Sequence, residues 1–223
     1  MNELFPATLL PWVAGAAVIT FFVGGIPFGL LISLAQGVDV RKTGSGNIGT
    51  TNVARSVGKA ASALTLLLDA GKGALCVVLT RTFLPGLAGV DPAAIEPSGS
   101  LGWVLSFIYL MSIVGHVFSP FLGFHGGKGI AVGFGGALGL YWPLALAILA
   151  VFVVVVIPTR YVSLASICAG ISLPIYGWIM KFSLPGIVPL ICAAVLVVWA
   201  HRENIGRLMR HEEKRFSFHK DKA

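Results

Sequence analysis

The sequence has little charge for its length. Only 11% of its 223 residues are Asp, Glu, Lys or Arg, whereas 56% are apolar and the mean hydropathy is +0.88. Soluble globular domains carry about 25% charged residues, so this composition excludes an ordinary soluble domain. We therefore expect an integral membrane protein.

Cysteine is also scarce. Cys76, Cys168 and Cys192 fall inside apolar runs, without CxxC spacing and without a neighbouring His or Asp. This pattern predicts buried small hydrophobic residues rather than a disulfide, a nucleophile or metal ligands. No cluster of His, Cys or Asp has ligand spacing, so we expect neither a metal nor another cofactor.

Several functional signatures are missing. The letters Gly44-x-Gly46-x-x-Gly49 fit the dinucleotide-binding pattern, but no βαβ unit surrounds them. The Walker pattern of a phosphate-binding loop fails at Gly58-Lys59 and at Gly127-Lys128, since neither has another Gly five residues before its own. No nucleic-acid motif is present, and the seven Lys or Arg among residues 201–223, against four Asp or Glu, suit an anionic membrane surface.

Apolar runs predict an all-α protein with seven transmembrane helices, since about 20 residues cross the hydrocarbon core. The stretch 1–7 lacks the basic start of a cleaved signal peptide, so the first run is expected to be retained. Residues 1–223 should form one membrane-embedded domain with a basic tail at 201–223. The expected spans lie near 8–34 (with a kink at Gly24, Gly25, Pro27 and Gly29), 60–80, 101–122, 129–141, 144–158, 161–180 and 186–200, the fourth, fifth and seventh being short.

Lys and Arg are distributed unevenly between the two sides of this arrangement. If the N-terminus lies outside, the inner segments hold thirteen of them and the outer segments hold only Arg81 and Lys181. The positive-inside rule then places the N-terminus outside and the C-terminus in the cytoplasm. The extramembrane loop is expected at 81–100.

Three polar stretches, at 44–55, 115–129 and 201–207, would share the cytoplasmic side. The first combines glycines with hydroxyl, amide and guanidinium donors, a set that suits an anion such as phosphate. The second places a lysine among glycines at a helix start, where free N–H groups favour an anion. The candidate phosphate-binding residues are Ser45, Gly46, Asn47, Thr51, Asn52, Arg55, Gly126, Gly127, Lys128 and Gly129.

Structural interpretations compete with these assignments. The first stretch could cap helices, the second could be a tight turn with a snorkelling lysine, and His116 could be an interfacial structural histidine. His201 and Asn204 share a helical face and are the stronger candidates, while Glu203 and Arg207 are expected to pair on the surface. Asp69 and Lys72, one turn apart within a span, either form a structural ion pair or bring Lys72 to a bound phosphate.

Taken together, these stretches resemble the bacterial acyl-phosphate-dependent glycerol-3-phosphate acyltransferases, the PlsY family. The matching elements, which cover most of residues 10–210 in the family's order, are 44–55, Asp69-x-x-Lys72-Gly73, Gly115-His116 through Gly126-Gly127-Lys128-Gly129, 159–167 and His201-Arg202-Glu203-Asn204. The sequence departs at Gly123 and His125, where members often have a polar or basic residue and a further Lys. If that cation helps to hold phosphate, His125 or another base must replace it.

The resemblance implies acyl transfer from a fatty acyl phosphate to the 1-hydroxyl of glycerol 3-phosphate, the first acylation of phospholipid biosynthesis, giving lysophosphatidic acid and phosphate. It implies a seven-helix bacterial inner-membrane protein, a cytoplasmic site, no acyl-enzyme and a possible partner in the enzyme that forms acyl phosphate. Either His116 or His201 or the substrate's own phosphate would take the proton. The catalytic candidates are His116, Lys128, His201 and Asn204, and the second tier is Asp69, Lys72, Ser163, Arg202 and Glu203.

Two other functions remain open. A transporter or channel for a phosphorylated solute would use the same donors without chemistry, although transporters usually bind near the midplane between internal repeats. A lipid-binding structural membrane protein would need none of these motifs for lipid synthesis.

Overall fold

The computed structural model describes residues 7–216 and contains only helices and loops over that range. The expectation of an all-helical protein is confirmed. The helices are α1 (Leu10–Gly25), α2 (Phe28–Leu34), α3 (Thr50–Ser56), α4 (Lys59–Ala88), α5 (Pro92–Ile95), α6 (Trp103–Val117), α7 (Ile130–Leu140), α8 (Trp142–Thr159), α9 (Val162–Ile179), α10 (Leu184–Ala200) and α11 (Arg202–Met209).

Five helical segments in the described chain are long and apolar enough to cross a membrane. They are Leu10–Leu34, Lys59–Ala88, Trp103–Leu122, Trp142–Thr159 and Val162–Ile179. A sixth arises if α10 and α11, which meet at a bend of 55°, are counted as one span. The remaining expected span, near 129–141, is the 11-residue helix α7, which at 1.5 Å per residue is only about 16 Å long.

The first span breaks where its glycines and proline predict a kink. α1 ends at Gly25, α2 starts at Phe28, and Pro27 lies between them. Gly29 in α2 approaches the first polar stretch so closely that a Cβ there would lie 1.9 Å from the Ile48 carbonyl oxygen. The loop 44–49 therefore packs directly against α2, just after the break in the first span.

Helix α4 is longer than the sequence indicates. The loop expected from Arg81 starts only after Ala88, and Arg81 itself lies inside the helix. Its Nη2 donates to the Leu140 carbonyl oxygen at 2.5 Å and its Nε lies 3.1 Å from a Glu96 carboxylate oxygen. Arg81 thus donates to a carbonyl at the C-terminal end of the short helix α7, which lacks a partner within that helix. Because the Arg81 side chain is paired in this way, α4 can continue past it.

The glycines of α7 let it pack directly against α4. A Cβ on Gly135 would lie 1.8 Å from the Ala70 carbonyl oxygen, and one on Gly73 would lie 2.3 Å from that of Val132. This close approach of two backbones is the small-residue packing found between membrane helices. It brings α4, with Asp69 and Lys72, to the centre of the bundle beside α6.

Candidate functional site

The first polar stretch is organised by the side chain of Asn52, which lies in the first turn of α3 and is 2% exposed. Its Nδ2 donates to the carbonyl oxygens of Val40, Thr43 and Asn47 at 2.8–3.1 Å, and its Oδ1 accepts from the Ser45 N–H at 2.9 Å. The Asn52 amide is therefore fully used inside the protein. The prediction that it binds phosphate directly is corrected, because it shapes the loop that presents Ser45.

Gly126 and Gly127 also have a packing role. Their N–H groups donate to the carbonyl oxygens of Val117 and His116 at 2.9 and 3.1 Å. A Cβ on Gly127 would lie 2.2 Å from His116 Nε2, and one on Gly126 would lie 1.9 Å from the His116 carbonyl oxygen. These N–H groups are thus not free for an anion, contrary to prediction.

Lys128 joins the second polar stretch to the third. Its Nζ donates to the Asn204 Oδ1, 76 residues along the chain. Burial lowers the pKa of Lys128, and the charges of Arg207 and Arg55 lower it further. Three cations therefore gather at one place, a condition that favours binding of an anion.

His201 sits at the bend between α10 and α11 and is 3% exposed. Its Nδ1 lies 2.8 Å from the Val197 carbonyl oxygen, which can only accept. Nδ1 must therefore carry the proton, and a neutral His201 has its lone pair on Nε2. That nitrogen can accept a proton.

Glu213, which no motif singles out, completes this cluster and is 11% exposed. Ser163 Oγ and Asn204 Nδ2 donate to its Oε1 at 2.7 Å each, and Arg207 Nε donates to its Oε2 at 2.8 Å. Burial pushes the pKa of Glu213 upward, but these hydrogen bonds outweigh it and hold the pKa below its usual range. Arg207 lies 3.9 Å from Glu203, so the expected surface pair is secondary to the contact with Glu213.

The cluster around Lys128, His201 and Glu213 lines one cavity of about 820 Å³, a volume typical of ligand sites. The cavity brings together most of the predicted site. On its wall lie Ser45, Asn47, Thr51, Asn52, Arg55, Asp69, His116, Lys128, Gly129, Ser163, His201 and Asn204.

The cavity has a polar end and an apolar end. Away from the cations its wall is formed by Phe134, Leu138, Leu149, Phe152 and Leu173. Such a cavity fits a ligand with an anionic head and a hydrocarbon chain.

Sequence reasoning missed several cavity residues besides Glu213. Thr50 lines the cavity, and its hydroxyl is buried without a hydrogen-bond partner in the described part of the chain. Thr51, the neighbour predicted from the sequence, lines the cavity as well. Tyr109 and Ser166 also lie on the wall but stand outside the polar stretches.

Asp69, Lys72 and His116 form a second cluster, closed on itself. Lys72 Nζ lies 2.7 Å from Asp69 Oδ1 and 3.1 Å from His116 Nδ1, and it donates to the Ile26 carbonyl oxygen at 2.7 Å. Lys72 does not line the cavity, although Asp69 and His116 touch its wall, and its three contacts favour the structural alternative for this pair. Because Lys72 donates to Nδ1, the proton of a neutral His116 lies on Nε2, facing Gly127.

Six of the predicted residues lie outside the cavity: Gly126 and Gly127, which pack against His116, and four others. Gly46 takes a positive φ of 70° in the loop turn. Arg202 is exposed and stacks on the Trp199 ring, 4.2 Å from its centroid, and the Glu203 side chain is 70% exposed. Lys72 is held in the closed cluster.

The cysteines and acidic residues form no metal centre within residues 7–216, where no group of three or more potential ligands is close enough to hold an ion. Cys76 is buried and Cys168 is half-buried, but Cys192 is exposed. The expectation of burial was wrong for Cys192, because it lies on the outward, apolar face of α10.

Comparison with known proteins bears directly on this site. A family model described as glycerol-3-phosphate acyltransferase matches residues 14–211. The chain belongs to this family. The glycerol-3-phosphate acyltransferase of Rubrobacter xylanophilus is 39% identical over 196 residues, which cover 88% of this chain and 91% of that protein.

Two solved structures of a family member share the fold. Both are of PlsY, an integral membrane glycerol 3-phosphate acyltransferase, one in a glycerol 3-phosphate form and one in a lysophosphatidic acid form. The first has a TM-score of 0.81 at 34% identity and covers 92% of this chain and 96% of its own, and the second has a TM-score of 0.79 at 33% identity and covers 92% and 95%. The resemblance inferred from the motifs is confirmed, and this family member has the PlsY integral membrane fold.

Proposed function

We propose that the chain transfers a fatty acyl group from an acyl phosphate to the 1-hydroxyl of glycerol 3-phosphate, giving lysophosphatidic acid and inorganic phosphate. The observation that carries this proposal is the single cavity that joins a cationic, donor-rich end to an apolar slot. Both substrates carry a phosphate for the first end, and the acyl chain fits the second. Family membership supports the same reaction.

The reaction requires no acyl-enzyme. The 1-hydroxyl oxygen attacks the carbonyl carbon of the acyl phosphate, an ester C–O bond forms, and the bond from that carbon to the phosphate oxygen breaks. Arg55, Lys128 and Arg207 neutralise the phosphates, while Ser45, Ser163 and Asn204 donate hydrogen bonds that orient them.

The hydroxyl proton goes to His201 Nε2 or to a substrate phosphate. His201 is the better placed of the two buried histidines, because its Nδ1 proton is fixed on Val197 and its other nitrogen is an acceptor. His116 has the opposite tautomer through Lys72. We therefore assign His116 a structural role.

The seven-span arrangement completes the proposal. In it, the short helix α7 and the bent pair α10 and α11 count as one span each, so the N-terminus lies outside and the polar end of the cavity faces the cytoplasm of a bacterial cell. The Lys and Arg distribution supports this orientation. The proposal takes residues 1–223 as one domain, of which residues 1–6 and 217–223, the end of the basic tail, lie outside the described part of the chain. An enzyme that makes acyl phosphate is the expected supplier of the donor.

The test is product formation by the detergent-purified protein, supplied with glycerol 3-phosphate and either palmitoyl phosphate or palmitoyl-CoA. We expect lysophosphatidic acid from the acyl phosphate alone. Product from palmitoyl-CoA would contradict the proposed donor. No product from either, in folded protein, would favour a transporter, for which the same cations would bind a solute without chemistry.

A further inference from the structure

The segment 211–216, here called the C-terminal strap, folds back across the polar end of the cavity. The Glu212 N–H donates to the Arg207 carbonyl oxygen at 2.8 Å, and the Phe216 N–H donates to that of Arg160 at 2.7 Å. Arg215 lies over the Tyr161 ring, 5.4 Å from its centroid. The strap therefore bridges α11 to the turn between α8 and α9.

Glu213 is the strap residue that enters the site. Its carboxylate takes hydrogen bonds from Ser163, Asn204 and Arg207, and all three donors line the cavity. A carboxylate and a phosphate accept the same kind of charge-assisted hydrogen bond. An anionic substrate that used these donors would have to displace Glu213.

We propose that the C-terminal strap is an autoinhibitory lid, whose Glu213 carboxylate occupies the position of a substrate phosphate until a phosphate-bearing ligand displaces it. This inference rests on the proposed function, since it needs the cavity to bind such ligands. Lys214 and Arg215 of the strap are exposed to solvent. A dianionic phosphate near Arg55 and Lys128 competes well against one carboxylate.

The first test measures binding of glycerol 3-phosphate and of inorganic phosphate to the full-length protein in detergent, by calorimetry and without an acyl donor. Glu213→Gln keeps the shape and removes the charge, and Glu213→Ala removes the carboxylate altogether. If the lid is closed in about nine molecules of ten, both variants should bind at least one of the two anions about 10-fold more tightly. The control Asp91→Asn removes one exposed carboxylate charge that does not line the cavity, and Asn can still accept the hydrogen bond from the Ala93 N–H, so this variant should bind as wild type does.

The second test follows the strap itself by tryptic cleavage after Lys214 and Arg215, read by mass spectrometry. We expect glycerol 3-phosphate or phosphate to speed cleavage of the wild-type strap, and the Glu213 variants to be cleaved fast with or without anion. Faster cleavage with glycerol 3-phosphate alone would assign the Glu213 position to that substrate, and faster cleavage with inorganic phosphate alone would assign it to the phosphate of the acyl donor.

Unchanged or weaker anion binding by both Glu213 variants, in protein that melts as wild type does, would overturn the lid and make Glu213 a group that orients Arg207. Protection of the strap by anion would overturn it as well. Neither readout involves acyl transfer, so failure of the lid is distinguishable from failure of the proposed function.

Discussion

Two clusters in this protein each combine a buried histidine with a lysine and a carboxylate. In the closed cluster, formed by Asp69, Lys72 and His116, Lys72 donates hydrogen bonds to the other two side chains and to a backbone carbonyl. In the open cluster, formed by Lys128, His201 and Glu213, all three side chains line the cavity. The Nδ1 of His201 donates to a backbone carbonyl, which leaves its Nε2 as a hydrogen-bond acceptor. We propose that the same residue types stabilise the fold in the first cluster and bind substrate in the second, because in the first the three donors of the lysine are already paired within the protein.

The closed cluster is best tested by removing one of its charges. Lys72→Met leaves Asp69 buried without its partner, which should lower the free energy of unfolding by about 3–5 kcal/mol. Adding Asp69→Asn removes the remaining charge and should restore most of the loss. Thermal unfolding in detergent measures both, and a wild-type melting temperature for Lys72→Met alone would contradict a structural role.

Substitutions in the open cluster should change the rate of the reaction rather than the stability of the fold. Lys128→Ala removes a cation from the reacting phosphates and should lower kcat/KM about 10²–10³-fold, with little change in melting temperature. Lys128→Arg keeps the charge and should retain more activity. If the folded Lys72→Met/Asp69→Asn protein lost as much activity as Lys128→Ala, the two clusters would not be separable.

Gly127 tests whether the two clusters are separate, because it is adjacent to Lys128 in sequence but packs against His116 of the closed cluster. Gly127→Ala would place a Cβ 2.2 Å from His116 Nε2 and should destabilise the fold by about 1–3 kcal/mol. Gly15→Ala is the matched control, since a Cβ there meets nothing within 4 Å. Equal melting temperatures for the two variants would show that His116 is not held as described.

A smaller effect is expected on the pH dependence of substrate binding. Burial, with help from Arg207, lowers the pKa of Lys128, so its positive charge is lost at a lower pH than in an ordinary lysine. The charged form binds phosphate, so KM for glycerol 3-phosphate should rise as the pH increases through that lowered pKa. Measuring KM from about pH 7 to about pH 10 checks this, and Lys128→Arg should move the rise to higher pH.

The sequence indicated the membrane class, the long helices and many of the polar residues that line the cavity, because apolar runs and glycine-rich polar motifs are local signals. It could not separate the two histidines, since His116 and His201 differ only in partners 44 residues away and one turn away. It also missed Glu213, because the tail has no motif and its carboxylate reaches Ser163 across 50 residues. The sequence also predicts too early an end for α4, because a charged residue such as Arg81 is typical of a loop and its contacts with Leu140 and Glu96 are distant in sequence.

The most direct measurement compares His201→Asn with His116→Asn. Asparagine can keep the hydrogen bond made by Nδ1 in each case, to Val197 or to Lys72, while removing the imidazole Nε2. We expect lysophosphatidic acid formation from palmitoyl phosphate, normalised to folded protein, to fall about 10²-fold or more for His201→Asn and less than about 10-fold for His116→Asn. The reverse order would contradict the assignment of chemistry to the open cluster.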